Sequence, residues 1–596
     1  MTGRTDACDL DDETLRENAV AAARGDRAFD ILIRGGTLVD MVTGECRPAD
    51  IGLVGPLIAS VHAPDARQDA AETVDATGLF VSPGLIDTHM HVESSMITPA
   101  AYAAATLPRG VTTLVWDPHE LGNVHGVAGV DWAAEAAGAL AQRHVLLAPS
   151  CVPSAPDLEM AGADFPAETI AALLARPEIG GIAEVMDMRA VIEGRARMSA
   201  ILAAGRRSGK PIHGHARSLG GANLQAFVTS GISSDHEIVS GEDLVQKLRA
   251  GLTIELRGSH DHLLPECVAA LNALPHFPQT VTLCTDDVFP DDLFSAGGLD
   301  DVVRRLVRYG MKPEWALQAA TLNAARRIRR DDLGLIAPGR RADIVLFRDL
   351  ADFQAKRVFC SGRPAARDGA LIEAAQEIDA APLRGSMHLA PLVDDDFRIP
   401  CAGSEATVAL IAKPRFTEWG EAVAKVENGF VVPPAGTTLI AVAHRHGKTD
   451  ARPRVGLLSG WGDWRGALAT TVSHDSHNLT VFGSNARDMA VAANAVIAAG
   501  GGMAVAAEGK VLALLALPLS GLISDAPLED VAAAFSALRT AADGIVDWQP
   551  PYLVFKAVFG ATLACNAGPH QTDRGIADGT TGVLLENPVL SIRGLP

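Results

Sequence analysis

The sequence is poor in aromatic residues and has no paired cysteine motif. Only 5% of the 596 residues are Phe, Trp or Tyr, and the eight cysteines are scattered without a Cys-x-x-Cys spacing. Cysteines this dispersed predict neither a disulfide framework nor a zinc–thiolate site. We expect them to be reduced and mostly buried as small hydrophobic side chains. Any metal ion bound by this chain must therefore use histidine and carboxylate ligands.

Long apolar runs are also missing. No stretch approaches the ~18 apolar residues of a membrane-spanning helix. The first residues, MTGRTDACDLDDETLRENAVAAARGD, are acidic and polar and lack the apolar core of a secretory signal. We therefore expect no membrane association and a cytoplasmic location.

Basic residues are outnumbered by acidic residues. The chain has 51 Lys and Arg against 72 Asp and Glu, a formal net charge of −21 at pH 7. A protein of this charge repels the phosphate backbone of DNA and RNA. No nucleic-acid partner is expected.

The pattern of predicted strands and helices changes along the chain and divides it into domains, as expected for this length. Residues 1–26 predict a helical N-terminal extension. Residues 27–82 and 331–384 share short β-rich runs broken by Gly, Pro and Asp, and we expect them to combine into one small β-sandwich. Residues 385–596 mix strands and helices and predict a separate α+β domain. In that domain the apolar run KVLALLALPLSGLIS needs a partner surface to bury it.

Residues 83–330 alternate strand-like runs with Ala- and Leu-rich helical stretches. The strand candidates, in order, are LIDTHMH, VTTLVWDP, HVLLAPSCVPS, IGGIAEVMD, KPIHGHA, GISSDHE, LTIELRG and TVTLCTDD. Eight β-α units over ~250 residues are typical of a (β/α)₈ barrel. The predicted fold class is α/β, a TIM-type barrel with a flanking β-sandwich and an additional C-terminal α+β domain.

The predicted strand ends are rich in side chains that bind metals. In PGLIDTHMHVESSM, His89 and His91 stand at positions i and i+2, so on a strand both would point to one side. One His-x-His pair could arise by chance. Other predicted strand ends add further candidates: Glu184, His213, His215, Asp235, His236, Glu237, Asp286 and Asp287. Because buried charges need partners, five such strand ends favour one metal-dependent active site at the carboxyl ends of the strands.

Several motifs resemble those of a known superfamily. PGLIDTHMH resembles the first-strand signature of the amidohydrolases, TDD at 285–287 resembles their eighth-strand aspartate, and ATLNAARRIRRDDLGLIAPGRRADIVLF resembles their exit from the barrel. HVESSM, DPHE, GIAEVMD, HGHA, SSDHE and LCTDD narrow the resemblance to the bacterial adenine deaminase family. SHDSHNLTVFGSN and TDRGIADGTTG extend it into the C-terminal domain, so that it spans nearly the whole chain.

The resemblance implies a site for two divalent metal ions. His89, His91 and Asp286 would hold one ion, and His215 and His236 the other. Many members of the superfamily bridge the ions with a carboxylated lysine on the fourth strand, whereas this chain offers Glu184 there. The family is associated with Mn²⁺ or Fe²⁺, which suit a carboxylate-rich site, and Zn²⁺ is less expected.

The implied reaction is hydrolytic deamination of adenine to hypoxanthine and ammonia, a step of purine salvage. Two cations would lower the pKa of a water from ~15.7 toward ~7. Asp286 would move a proton from the attacking water to the departing amine. The purine N1 also needs a proton donor, and His119 or Glu120 in DPHE is the candidate. Either could instead cap the following helix.

Some positions stay open at this point. His213 stands two residues before His215 and is expected behind the ligands or on a solvated face, and Asp287 could replace Asp286 as the ligand. Asp235 and Glu237 should face away from His236 on the strand. His474 and His477 in SHDSHN could form a separate metal site, or belong to an interface or a lid.

Two other functions compete with adenine deamination. One is another amidohydrolase reaction, such as that of a cyclic amidase or an N-acetylsugar deacetylase, which would use the same metal ligands. The other is a non-catalytic barrel scaffold, a role that usually accompanies loss of ligands. A barrel with two flanking domains also commonly self-associates, and we expect a homo-oligomer, with a dimer favoured.

Overall fold

The computed structural model describes residues 7–449, 451–548 and 554–594. The predicted N-terminal extension contains a 3-10 turn, Ala7–Asp11, and helix α1, Glu13–Arg24. The Asp12 side chain caps α1 by accepting a hydrogen bond from the Leu15 backbone N–H. Residues 1–6 of that extension lie outside the described residues. Among the described helices, none combines the length and apolarity needed to cross a bilayer.

The chain then forms the first half of a mixed sheet. Its strands are β1 Phe29–Val39, β2 Cys46–Val54, β3 Leu57–His62, β4 Ala70–Asp75 and β5 Phe80–Pro83. The second half follows residue 330 with β14 Ile344–Phe347, β15 Ala355–Cys360, β16 Arg363–Arg367 and β17 Ala370–Leu371. Antiparallel pairing of β5 with β14 joins the halves. Within the described chain the two halves form one nine-stranded sheet, which holds the two ends of the intervening segment close to each other.

Between the halves lies a segment of parallel strands, here called the eight-strand unit (residues 83–330). The strands are β6 Leu85–Met90, β7 Val111–Trp116, β8 Arg143–Ala148, β9 Ile179–Val185, β10 Ile212–Gly214, β11 Ser234–Asp235, β12 Thr253–Arg257 and β13 Val281–Cys284. Each contains a stretch that the sequence predicted as a strand. Their side chains are almost all buried, as expected when helices cover a parallel sheet.

Helices connect these strands and continue to the end of the unit. They are α2 Pro99–Thr106, α3 His119–His125, α4 Val127–Gly138, α5 Ala167–Leu174, α6 Met188–Glu193, α7 Ala196–Ser208, α8 Gly221–Thr229, α9 Gly241–Arg249, α10 Leu264–Asn272, α11 Pro290–Ser295, α12 Leu299–Arg308, α13 Pro313–Gln318 and α14 Ala324–Arg327. A π-helical turn, Ala319–Asn323, joins α13 to α14. Short 3-10 turns occupy Val92–Ser95, Leu107–Arg109 and Gly258–Leu263.

The strands of the eight-strand unit pair in two parallel groups, β10-β9-β8-β7-β6 and β11-β12-β13. Backbone hydrogen bonds link the two groups at both ends, between β10 and the residue before β11 and between β6 and the chain after β13. The Ser233 N–H donates to the Ile212 carbonyl at 3.0 Å, and the Asp286 N–H donates to the His89 carbonyl at 3.0 Å. The first and last strands of the unit are therefore neighbours, which brings their carboxyl ends together.

The C-terminal domain is built on a second large sheet. Its strands are β18 Glu405–Ala412, β19 Glu418–Glu427, β20 Phe430–Val431, β21 Thr437–Ala443, β22 Arg454–Ser459, β23 Asp463–Trp464, β24 Ala467–Thr470, β25 Leu479–Gly483, β26 Gly502–Ala507, β27 Lys510–Ala516, β28 Val546–Asp547, β29 Pro569–Thr572, β30 Gly575–Asp578, β31 Val583–Leu585 and β32 Val589–Arg593. Its helices are α15 Ala486–Ala498, α16 Leu528–Ile545 and α17 Val554–Gly560. In the described part of the domain, ten of these strands share one sheet, with β27 at an edge.

The apolar run at 510–524 is buried mainly in its second half. Leu515, Leu517 and Ile523 are buried, but Leu512 and Leu514 on the edge strand β27 are 53% and 43% exposed. An edge strand has a neighbour on one side only, so part of its apolar surface stays open.

The C-terminal domain packs over the carboxyl ends of the eight strands. Its α16 lies against α11, where the rings of Phe289 and Phe535 stack at 4.9 Å. Asn478 Nδ2 donates to the Met160 carbonyl at 2.9 Å, and Lys556 Nζ donates to the Ser259 carbonyl at 2.5 Å. One apolar core runs without a break through both domains. The strand ends are thus enclosed between two domains.

Candidate active site

Three side chains from the first and last strands meet at the carboxyl ends of the eight strands. The Nε2 atoms of His89 and His91 lie 3.3 and 3.5 Å from Oδ1 of Asp286. All three side chains are at most 3% exposed. The i, i+2 spacing of the histidines places both rings on the side where the neighbouring strand delivers the aspartate.

Glu184, just before the end of β9, stands between two pairs of histidines. Its Oε1 atom is 3.7 Å from His89 Nε2 and 3.4 Å from His91 Nε2. Its Oε2 atom is 2.7 Å from His215 Nδ1 and 3.2 Å from His236 Nε2. The two carboxylate oxygens therefore face different histidine pairs.

The donor atoms around Glu184 fit divalent cations. Both ring nitrogens of His89, Nε2 of His215 and Nδ1 of His236 are buried and have no hydrogen-bond partner among the described residues. Leaving buried polar atoms unpaired costs free energy unless something binds them. The ligand atoms of His89, His91 and Asp286 lie within 4.8 Å of one another, and so do those of His89, Glu184 and His236. Imidazole and carboxylate groups in this arrangement are suited to transition-metal ions.

The two central carboxylates are held in their ionised form. Burial would raise the pKa of Glu184, but His236 and the hydrogen bond with His215 outweigh burial and hold that pKa well below its usual range. Burial likewise opposes ionisation of Asp286, and Arg257 and the imidazoles of His89 and His91 overcome it, so its pKa is also strongly lowered. The site therefore presents two negative charges to a bound cation.

The consecutive aspartates after β13 point to different partners. Asp286 has a φ of 60°, in the left-handed region, so the chain turns sharply at this residue. Asp287 Oδ1 accepts a hydrogen bond from Ser94 Oγ at 2.7 Å. Arg257 Nη2 lies 2.5 Å from Asp286 Oδ2 and 2.9 Å from Asp287 Oδ2 and so holds both carboxylates. Of the two, Asp286 is the one that faces the histidines.

His213 lies in the interior of the eight-strand unit. Its Nδ1 atom is 3.9 Å from Oε1 of Glu255, and Arg327 Nε approaches the same oxygen at 3.4 Å. Burial, followed by the charge of Arg327, lowers the pKa of His213 well below its usual value. A neutral imidazole in this position adds no positive charge behind the histidines and carboxylates of the site.

His119 and Glu120 begin α3 and have different surroundings. His119 lies on the cavity wall, and its Nδ1 atom is 3.0 Å from Asp117 Oδ2 and 3.8 Å from Glu184 Oε1. Glu120 is fully buried, and its Oε1 atom lies 2.7 Å from the Ser94 hydroxyl, which has one proton for this oxygen and for Asp287 Oδ1. Among the described residues that line the cavity, His119 is present and Glu120 is not.

Glu237 does not face away from the site, contrary to the sequence expectation. It lines the cavity and forms ion pairs with Arg217 and Arg257. Asp235 does point elsewhere, to Lys247 Nζ at 2.8 Å. Alternation fails because β11 ends at Asp235, so the chain at 236 and 237 is no longer a strand.

The cavity above these side chains is closed by residues that sequence reasoning did not assign to it. The C-terminal domain contributes Val472, Asp475, Lys556, Ala557, Phe559 and Leu563, together with His474. Phe289, two residues after Asp287, packs edge-to-face on Phe559 with ring centroids 5.8 Å apart. The cavity thus has an ionic floor from the eight-strand unit and a partly apolar roof from the C-terminal domain. Only the histidines of SHDSHN gave a sequence signal for that roof.

Comparison with known proteins identifies two domain families along the chain. Residues 80–365 match the amidohydrolase family, and residues 414–582 match the adenine deaminase C-terminal domain. Adenine deaminase 2 of Rhizobium meliloti is 70% identical over 590 residues, covering 99% of this chain and 100% of that protein. Adenine deaminase of Klebsiella pneumoniae subsp. pneumoniae is 50% identical, covering 98% of this chain and 97% of that protein.

Among solved structures, the chain is similar to a beta-aspartyl dipeptidase from Fervidobacterium islandicum AW-1. The sequence identity is 17% and the TM-score 0.43, with 59% of this chain and 99% of that chain covered.

Proposed function

Because the chain belongs to the adenine deaminase family, we propose that it hydrolyses adenine to hypoxanthine and ammonia at the site between its two large domains. The observation that carries this proposal is Glu184, whose two oxygens face the pair His89 and His91 on one side and the pair His215 and His236 on the other. The relatives that are named adenine deaminase match both the domain that holds this glutamate and the domain that roofs it.

Two divalent cations would be held by side chains of the eight-strand unit. His89, His91 and Asp286 would bind one ion, His215 and His236 the other, and Glu184 would bridge them. We propose Mn²⁺ or Fe²⁺ rather than Zn²⁺, since no thiolate belongs to this ligand set. When bound, such ions lower the pKa of a water so that hydroxide is available near neutral pH.

Asp286 is proposed to move the proton. Its Oδ1 atom faces the histidines, and Arg257 holds its Oδ2 atom at 2.5 Å, so the carboxylate keeps one orientation. It would accept a proton from the attacking water and deliver it to the departing amine, which leaves as ammonia. Asp287 is held by Ser94 and Arg257 and is not needed for this step.

The sequence candidates for proton delivery to N1 of the purine, His119 and Glu120, are proposed to support this step rather than to be the donor themselves. His119 lies on the cavity wall beside Asp117 and Glu184. Glu120 lies behind Ser94 and is fully buried. Glu120 therefore acts on the ring only through a neighbouring group.

The eight parallel strands are proposed to close into a (β/α)₈ barrel. The hydrogen bonds from Ser233 to Ile212 and from Asp286 to His89 support closure at the two margins. A closed barrel would put the proposed metal ligands at the carboxyl ends of the strands, where barrel enzymes carry their chemistry. The cytoplasm is the proposed location, because free cysteines suit a reducing compartment and the seven cysteines described are unpaired.

Self-association as a dimer is proposed to use the edge strand β27. Val511, Leu512 and Leu514 expose apolar surface along a strand whose outer edge has no pairing partner in the described sheet. Two copies related by a twofold axis could pair such edges antiparallel. Light scattering should give a dimer mass for the wild type and a monomer mass for Leu512→Lys. A dimer that persists in Leu512→Lys would place the interface elsewhere.

An ammonia-release screen on the Mn²⁺-loaded protein tests the proposed function. The panel should contain adenine, adenosine, a cyclic amide and an N-acetylated amino sugar. We expect ammonia and hypoxanthine from adenine and much slower turnover of adenosine. Turnover of the cyclic amide or of the acetylated sugar without turnover of adenine would assign the site to a different hydrolytic reaction.

A further inference from the structure

A loop of the C-terminal domain brings a histidine into a group of carboxylates at the cavity. His474 Nδ1 lies 3.5 Å from Asp475 Oδ1 and 4.0 Å from Glu120 Oε1, and its Nε2 atom lies 4.0 Å from Asp287 Oδ1. Asp475 Oδ1 is also 3.7 Å from His119 Nε2. Three acidic side chains from both domains therefore surround one imidazole.

His474 is the member of this group that lines the cavity and also lies 4.0 Å from Glu120. Its side chain is 13% exposed and lines the cavity, whereas Glu120 is 0% exposed and does not line the described cavity wall. The ring of Phe559 stands 6.2 Å from the ring of His474 on the same wall. A planar ring stacked on Phe559 would therefore lie beside His474.

We propose that His474 is the catalytic acid that protonates N1 of the adenine ring, and that Asp475 and Glu120 are positioning residues that act through it. This inference rests on the proposed function, since it assigns the proton donor of that reaction. It also gives the C-terminal domain a direct part in the chemistry.

The proton balance of the step is complete. As the attacking oxygen forms its bond to C6, the C6–N1 π bond breaks, and its electron pair takes the proton of the His474 imidazolium. The C6–NH₂ bond then breaks, and the amine leaves as ammonia with a proton from Asp286. N1 keeps its proton in hypoxanthine. The water thus supplies one proton to ammonia and one that restores His474 through solvent.

The surroundings of His474 favour its charged form. Burial lowers the pKa of the imidazole, but Asp475, Asp287 and Glu120 outweigh burial and raise that pKa to about 9. The positive groups nearby are Arg257, which is already paired with Asp286, Asp287 and Glu237, and Lys556, which donates to the Ser259 carbonyl. Two further titratable side chains of this cluster are His119 and His477.

A metal ion is the competing explanation for this cluster. Ring nitrogens of His119, His474 and His477 lie within 4.8 Å of one another, a spacing that could hold a cation. The two explanations differ in what a His474 variant loses. If His474 is an acid, its variant keeps the metal content and has a lower rate. If His474 is a metal ligand, its variant loses a metal equivalent.

The test measures kcat, KM, metal content and the pH profile of kcat/KM for His474→Gln and Asp475→Asn in the full-length, Mn²⁺-loaded protein. His388→Gln is the matched control, because His388 is an exposed histidine of the same domain. We expect His474→Gln to keep two metal equivalents and its KM for adenine, and to lose at least about 10²-fold in kcat. The fall in rate above pH about 9 should disappear in His474→Gln. In Asp475→Asn that fall should move to lower pH, since the imidazole loses a carboxylate that stabilises its charge.

Three results would overturn the assignment. A His474→Gln variant with wild-type kcat and an unchanged basic limb would exclude an acid role. Loss of a metal equivalent in that variant would make His474 a ligand. A wild-type protein that does not turn over adenine would remove the proposed function and this inference together. If His474→Gln does not fold, the shift of the basic limb in Asp475→Asn decides the matter alone.

Discussion

At the scale of single residues, the site depends on how adjacent side chains are divided between roles. Asp286 and Asp287 are neighbours in sequence and share Arg257, yet only Asp286 Oδ1 lies near the histidines. A left-handed turn at Asp286 separates the directions of the two carboxylates. The different directions of the two carboxylates therefore follow from backbone conformation rather than from residue type.

Exchanging each aspartate for asparagine tests this division. Asp286→Asn should lose more than ~10³-fold in kcat, because both a proposed ligand and the proposed proton carrier are lost. Asp287→Asn should cost ~10-fold or less, since an amide still accepts the hydrogen bond from Ser94. Steady-state kinetics with adenine and metal analysis of both variants provide the comparison. Equal losses in the two variants would mean that the aspartates share the role.

The residue scale also shows what sequence could and could not predict. The positions of His89, His91 and Glu184 were predictable because strand alternation and position at a strand end determine where these side chains point. The choice between Asp286 and Asp287 stayed open because it depends on one φ angle. Arg257 was missed because an arginine near a strand end has no pattern of its own and gains its role only from the carboxylates across the site.

At the scale of elements, two features could not be predicted from the sequence pattern: the conformation after the short strand β11 and the burial of a carboxyl group in the connection after β8. The eight strands were predictable from apolar runs alternating with helices, but β11 is only two residues long, so the alternation expected at Glu237 does not apply. The connection after β8 buries Glu159, whose Oε1 atom accepts hydrogen bonds from Ser154 and Ala155. Sequence gives no sign that this carboxyl is enclosed.

Glu159 makes the stability of that connection depend on pH. Burial raises its pKa to about 8, so between its unfolded value near 4.5 and that pH the folded state holds a proton that the unfolded state has lost. Stability from this group is therefore fully present below pH ~4.5 and falls by about 1.4 kcal/mol per pH unit as the pH rises toward 8. In calorimetry, the Tm of Glu159→Gln should fall less than the wild-type Tm between pH 5 and 8. Parallel Tm curves for the two proteins would show that Glu159 is ionised in the folded state.

At the scale of the whole molecule, the two large domains form one structural unit. Their apolar core is continuous, and the C-terminal domain supplies the roof of the cavity with Phe559, Leu563 and Val472. The sequence pattern could separate the domains, but it could not show that residues as far apart in the chain as His91 and Phe559 line one cavity. That information lies in the packing of α16 and α17 and the loop at 471–478 against the strand ends.

A chain that ends near residue 384 tests this dependence. It retains the proposed metal ligands, but the apolar surface now covered by α16 and by Leu517 and Ile523 would be exposed. We expect poor solubility and weak activity, measured as the soluble fraction on expression and as ammonia release from adenine. A soluble truncated protein with full activity would show that the C-terminal domain is independent of the reaction.

The central claim is that Glu184 holds two metal ions in place for adenine deamination, and the most direct measurement is the metal content of Glu184→Ala, by plasma emission, together with its ammonia release from adenine. Lys210→Ala is the matched control, because Lys210 donates to backbone carbonyls at the other end of the same strand and in the preceding helix. Without a bridging carboxylate, two nearby cations repel each other, so the variant should retain one metal equivalent or none. Its rate should fall more than ~10³-fold, about 4 kcal/mol in the barrier, while Lys210→Ala keeps two equivalents. Two full equivalents and near-normal turnover in Glu184→Ala would contradict the account.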